Sequence, residues 1–214
     1  MTDSESRGYY DFPEEFDAVL IENGLIGEMF YLKDLNQRKM FLNEAISPTS
    51  VEDVVRHILQ LNAEDIGTDV KERTPILLYI TSRGGDVDSG FELIDAIQSS
   101  KTPVYTINLG YQYSMAFLIG LAGHKRFTTK NAKFLMHDGE DVVYGTGMKV
   151  QDRMDFQKRV EERIRNYVLS NSKITSDEYD SKLRVEWFLF ADEAKEKGFT
   201  DYIIGEDCEL DEVV

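Results

Sequence analysis

One serine and one histidine in this 214-residue sequence stand where nucleophilic chemistry could be arranged. Ser114 sits inside Gly110-Tyr-Gln-Tyr-Ser-Met-Ala-Phe-Leu-Ile-Gly-Leu-Ala-Gly123, after a short hydrophobic strand and before an apolar run too short to cross a membrane. A serine entering a helix ordinarily caps it, so the type alone does not make a nucleophile. Acyl transfer also needs a base, a group that orients the base, and N–H donors for the developing oxyanion. The sequence has three histidines. His57 falls on the polar face of an amphipathic helix and His124 in a charged turn, both surface positions. His137 ends the apolar run that starts at Lys133, where parallel strands present their carboxyl ends to ligands. The Gly84-Gly85 pair follows another buried strand and opens a helix, with backbone free to receive an anion.

The elements that must position these groups can be read in order. Residues 1–24 are polar and acidic and are expected to form a mobile arm, with structure proper beginning near Arg38 in a short strand. Thr49 and Glu52 match a capping box, and Val51, Val54, Val55, Ile58, Leu59 and Leu61 continue at helical spacing. Ile76 to Ile80 is an unbroken apolar run, the pattern of a strand covered on both faces. Phe91, Leu93, Ile94 and Ile97 mark the next helix, and Val104 to Leu109 a second buried strand. Strand, glycine turn, helix and strand form a right-handed crossover unit. A helix over 116–122, a strand ending at His137, a loop from Gly139 and a long charged helix from about Met148 to Leu169 follow. The apolar residues of that helix require one stripe to be covered, which points to a subunit contact. Thr175 and Glu178 match a second capping box, and a strand from Trp187, a helix closed by Gly198 and a short strand lead into an acidic tail, 205–214.

Composition narrows the partners. Forty acidic against 24 basic residues give a formal charge of −16, which repels nucleic acid and anionic membranes. Cys208 is the single cysteine, so no internal disulfide forms, in keeping with a reducing cytoplasm. The N-terminus lacks the basic and apolar regions of a signal peptide.

The order of these motifs resembles the ClpP family, the proteolytic subunit of the Clp protease. Thr81-Ser-Arg-Gly-Gly-Asp-Val87 is similar to its Asn-Ser-Pro-Gly-Gly turn, and Gly110-Tyr-Gln-Tyr-Ser114-Met-Ala to its Gly-Gln-Ala-Ala-Ser-Met-Gly segment. Lys133-Phe-Leu-Met-His137 resembles its histidine strand. Tyr31 to Leu42 resembles the entry to its first strand, and Phe188 to Asp201 its closing helix. The resemblance covers residues 31–204. It implies an α/β fold of the ClpP/crotonase type, with repeated β-α units in a domain over 25–204 and a protruding handle over about 139–171. It implies Ser114 as nucleophile, His137 as general base, and the N–H groups of Gly85 and Met115 as oxyanion hole, without metal or cofactor. It further implies a serine endopeptidase for unfolded polypeptides inside stacked rings. These would be heptameric and built of this chain or of this chain with a paralogue, and an ATP-driven AAA+ unfoldase would feed them.

Three positions depart from the family pattern. Glu186 stands where the family has its triad aspartate, with Asp180 as a second orienting candidate; Arg83 replaces a proline, and Tyr113 a small residue. A non-catalytic ring subunit is the alternative expectation. An acyl-CoA enzyme of the related crotonase fold is a third, and it would need a carboxylate pair and a basic patch where only Arg83 is found.

Overall fold

The computed structural model describes residues 14–140 and 142–213. Residues 1–13, over half of the expected arm, lie outside it. The chain is helical well before Arg38, in α1 (Glu14–Glu22) and α2 (Ile26–Asn36). Leu20, Met29 and Leu35 are the side chains these two helices bury, too few to register as a clear period among their charges.

Strand β1 (Lys39–Leu42) leads to α3 (Pro48–Glu64). The capping residue of α3 is Ser47, not Thr49: Ser47 and Ser50 exchange hydrogen bonds, and Pro48 occupies the first turn, where its missing N–H costs nothing. Of the expected apolar face Val51, Val54, Ile58 and Leu61 are buried and Val55 is half-buried, whereas Leu59 points to solvent. Full burial of such a side chain contributes about 1.5–3 kcal/mol. After β2 (Ile76–Ser82) come α4 (Val87–Ser99), β3 (Val104–Tyr113), α5 (Met115–Leu121), β4 (Lys125–Thr129) and β5 (Lys133–Met136). The long helix is α6 (Gly147–Ser170), followed by α7 (Ser176–Lys182), β6 (Trp187–Phe190), α8 (Ala191–Glu196) and β7 (Tyr202–Ile204).

Strands β1-β2-β3-β4-β7 form a parallel sheet, with β5 parallel to the far end of β3 and β6 antiparallel to β5. The apolar run of β2 has a simple cause. Ile76, Leu78 and Ile80 face the main core under α3, α4 and α5, while Leu77 and Tyr79 join Ile107, Phe127 and Val213 on the other face. Val213 belongs to the acidic tail, which folds back through a Gly205 N–H to Cys208 O bond of 2.8 Å.

Strand β3 runs past Leu109, the expected end, to Tyr113. It pairs with β2 in register up to Ile80↔Asn108 and again at Ser82↔Gln112, so Leu109 and Gly110 lie in a bulge. Asn108, fully buried, pins it: its side chain accepts from Gly110 N–H and donates to Lys133 O, each at 3.1 Å. Before the bulge β3 pairs with β4, and after it with β5.

The long helix is covered only at its base. Val168 is buried, Tyr167 donates to Leu118 O at 2.9 Å, and Arg126 donates to Asn171 O at 2.7 Å just past its end. Farther out, Met148 is 82% and Phe156 59% exposed. Among the described residues no helix is long and apolar enough to cross a membrane.

At the edge of β1, Asp65 accepts from both terminal nitrogens of Arg38 at 2.7 and 2.8 Å and from Thr102 Oγ1 at 2.6 Å. The Arg38 hydrogen bonds foremost hold its carboxyl below the usual carboxylate range. A depressed folded-state value gives stability that is present above the unfolded pKa near 4 and lost as pH falls through the folded value. Asp65→Asn is therefore expected to cost about 3 kcal/mol near neutral pH and to flatten the acid limb of stability below about pH 5, measured by urea unfolding across pH.

Candidate active site

Ser114 joins β3 to α5 with φ 54° and ψ −123°. Among the described residues Arg38 is the one other non-glycine residue with a positive φ. Such a conformation costs about 1–3 kcal/mol and persists where its surroundings over-determine it. Here Ser114 N–H donates to Leu135 O at 2.9 Å, its carbonyl accepts from Phe117 and Leu118, and every residue of α5 is buried. The Ser114 side chain makes no capping bond to the helix, which removes the ordinary reason for a serine at this place.

The glycine turn after β2 packs directly on this junction. A Cβ at Gly84, where φ is +94°, would lie 2.7 Å from Tyr113 O, 2.8 Å from Ser114 Cβ and 2.9 Å from Met115 N, so only glycine fits. At Gly85 a Cβ would lie 2.3 Å from Ile46 O. Ile46 bonds to the residues on either side of Gly85, donating to Gly84 O at 2.9 Å and accepting from Asp86 at 2.8 Å. The Gly85 N–H has no protein acceptor among the described residues. Met115 opens α5, so its N–H is one of those a helix leaves unpaired. Two free donors thus belong to the segments that touch at Ser114.

Pairing of Tyr113 with Leu135 brings β5 alongside, and His137 is the first residue beyond it. Ser114 and His137 wall one cleft of about 60 Å³, with Met115, Leu118, Met136 and Val168 as apolar lining. Glu186 is the residue before β6. The antiparallel ladder ends at Met136↔Trp187, so His137 and Glu186 are the next residues on either strand. There the strands part: Asp138 N–H donates to Leu183 O at 3.2 Å and the ladder stops. Glu186 is exposed, and among the described residues no hydrogen bond or ion pair joins it to His137.

Asp180 is committed elsewhere. Arg165 donates to both its oxygens at 2.8 Å, and this holds its carboxyl below the ordinary range. His57 is half-buried on α3, edge-on to Tyr31, and its Nδ1 lies 2.6 Å from Asp53 O. His124 is exposed too, and its Nδ1 accepts from Val104 N–H at 3.1 Å. Tyr113 packs outside the main core, on Tyr111 and edge-on to Phe188 with centroids 5.1 and 5.8 Å apart. Arg83 lies 5.8 Å from the Tyr111 ring centroid. Among the described residues no three His, Cys, Asp or Glu side chains are grouped to hold a metal ion.

The residue that sequence reasoning missed is Tyr179 of α7, buried at 3% exposure and part of the cleft wall. The available signal was that Tyr179 is the one large apolar side chain in Ser-Asp-Glu-Tyr-Asp-Ser-Lys, hence the one side chain that short helix can bury.

Because strain at Ser114 is borne by the backbone, Ser114→Gly should relieve it and Ser114→Ala should not. The glycine variant is expected to be the more stable by about 1–2 kcal/mol despite its greater chain entropy, as read from the two melting curves.

Comparison with known proteins bears on the whole of this arrangement. A family model described as Clp protease matches residues 27–207. The ATP-dependent Clp protease proteolytic subunit 2 of Treponema pallidum is 28% identical over 184 residues, 85% of this chain and 89% of the relative. Proteolytic subunit 3 from Streptomyces coelicolor is 33% identical over 176 residues, 79% of this chain and 76% of its own length. Proteolytic subunit 1 from Frankia casuarinae is 32% identical over 176 residues, 79% and 78% of the two chains. With the parallel sheet, the glycine turn packed on Ser114 and a family match over most of its length, the chain belongs to the Clp protease family.

Proposed function

We propose that this chain is a serine endopeptidase that cleaves unfolded polypeptides inside a ring assembly. Ser114 Oγ attacks the scissile carbonyl while His137 takes its proton, then returns it to the leaving amine; water repeats the cycle on the acyl-enzyme. The N–H groups of Gly85 and Met115 receive the oxyanion, and Glu186 orients the imidazole. The observation that carries this reading is the strained, uncapped backbone of Ser114 beneath Gly84, with two unpaired N–H groups in the touching segments. Met148 and Phe156, exposed on the outer part of α6, suit a helix that interlocks between copies, in stacked heptameric rings of this chain alone or with a paralogue. The names of the relatives point to an ATP-dependent unfoldase as the partner that delivers substrate.

One observation favours a second reading, a ring subunit without catalysis: Glu186 and His137 share no hydrogen bond. Catalytic hydrogen bonds of unliganded sites often tighten only in the working complex, so peptidase chemistry remains the better account. An acyl-CoA enzyme is disfavoured, because its basic patch would consist of Arg83, which packs beside Tyr111.

A fluorophosphonate probe on the assembled protein should label Ser114, and Ser114→Ala should abolish the label. Glu186→Ala is expected to slow peptide hydrolysis about a thousandfold or more, with assembly unchanged by sedimentation. An assembled wild-type protein that takes no label would sink the proposal.

A further inference from the structure

Two phenyl-type rings stand in the wall of the cleft beside Ser114, Phe117 of α5 and Tyr179 of α7. Met115 and Leu118 of α5, Met136 of β5, and Ile164 and Val168 of α6 line it as well. Its 60 Å³ is small. A cavity that holds benzene measures about 150 Å³, on the order of 25 Å³ per heavy atom, so this one admits about two or three heavy atoms.

Tyr179 is fastened in place from three directions. Thr175 caps α7 through Glu178 N–H at 3.1 Å, and Tyr179 N–H donates to Thr175 O at 3.0 Å. Arg165 of α6 grips Asp180 with two nitrogens and also bonds Ser176, and its guanidinium lies 5.9 Å from the Tyr179 ring centroid. The helix that carries the ring is therefore fixed to α6 beside the cleft, and the ring is 3% exposed. Met115, whose N–H would face the oxyanion, lines the same cleft, so the side chain entering it is that of the residue bearing the scissile carbonyl.

Resting on the peptidase reading, we propose that Tyr179 is a specificity-determining residue: it limits the residue on the carbonyl side of the cleaved bond to alanine, serine, cysteine or valine, and excludes leucine and phenylalanine. One methylene too many or too few in an apolar pocket changes a rate about 10–200-fold, so a clash with a phenyl ring reaches well beyond tenfold.

The test uses the assembled protein and two peptidyl diphenyl phosphonates, identical except for an alanine or a phenylalanine analogue at that residue. The rate at which each inactivates Ser114 is compared with labelling by a small fluorophosphonate that has no such side chain. Wild-type protein should react at least tenfold faster with the alanine reagent. Tyr179→Ala should lose or reverse that preference, and Tyr179→Phe should keep it. Ile164→Ala, which removes part of the wall contributed by α6, should shift the preference in the same direction and serves if Tyr179→Ala fails to fold. A wild-type preference for phenylalanine, or an unchanged ratio in the widened variants, overturns the role of Tyr179 alone, provided the small probe labels Ser114. Absence of the small-probe label overturns the peptidase reading and this inference with it.

Discussion

Two backbones meet at Gly84 and Ser114 more closely than side chains would allow, and the candidate site depends on that approach. The turn after β2 lies against the carbonyl of Tyr113 and the amide of Met115 without an intervening Cβ. The contact keeps the serine in its strained conformation and carries the free amides of both segments to the same place. Neither segment achieves this alone. The bulge at Leu109 and Gly110, held by the buried amide of Asn108, carries the end of β3 away from β4 and toward β5, so the strands of Ser114 and His137 run side by side.

The cleft walls come from sequence-distant parts that are bonded to one another. Tyr167 ties α6 to the carbonyl of Leu118, four residues past Ser114. The Arg126 guanidinium holds the Asp201 carboxylate by two bonds and also donates to Asn171 O and Gly198 O at 2.7 and 2.9 Å, joining β4, the end of α6 and the cap of α8. Partial burial of these groups makes each bond costly to leave unmade.

Much of the fold was legible in the sequence because its signals are periodic or punctuated. The apolar run of β2 reported a strand covered on both faces, the stripe of α3 reported its buried side, and Gly198 at φ 73° closed α8 as its position predicted. What failed to show was non-local or short. Helices α1 and α2 bury few residues each, and their charges hid them. Ser47 caps α3 through Ser50 in place of the expected Thr49 and Glu52, since both pairs satisfy the same spacing and only the chain's entry angle chooses. At the site, Ser114, His137 and the glycine turn were visible as strand ends. The end of the ladder before His137 and Glu186, where Asp138 bonds to Leu183, is non-local and no sequence pattern encodes it; the sequence marks Tyr179 as the side chain α7 buries but not the cleft it lines.

The anchoring of α6 at one end has a mechanical meaning. Its 24 residues span about 36 Å, while its fixed points, Arg165, Tyr167, Val168 and the bond to Asn171 O, lie within the last two turns or just beyond. Such a helix is a lever whose fulcrum adjoins the cleft, since Ile164 and Val168 belong both to the arm's base and to the pocket wall. A force gripping the free end is turned into torque on that wall, and a displacement too small to disturb the sheet is large against a space of 60 Å³.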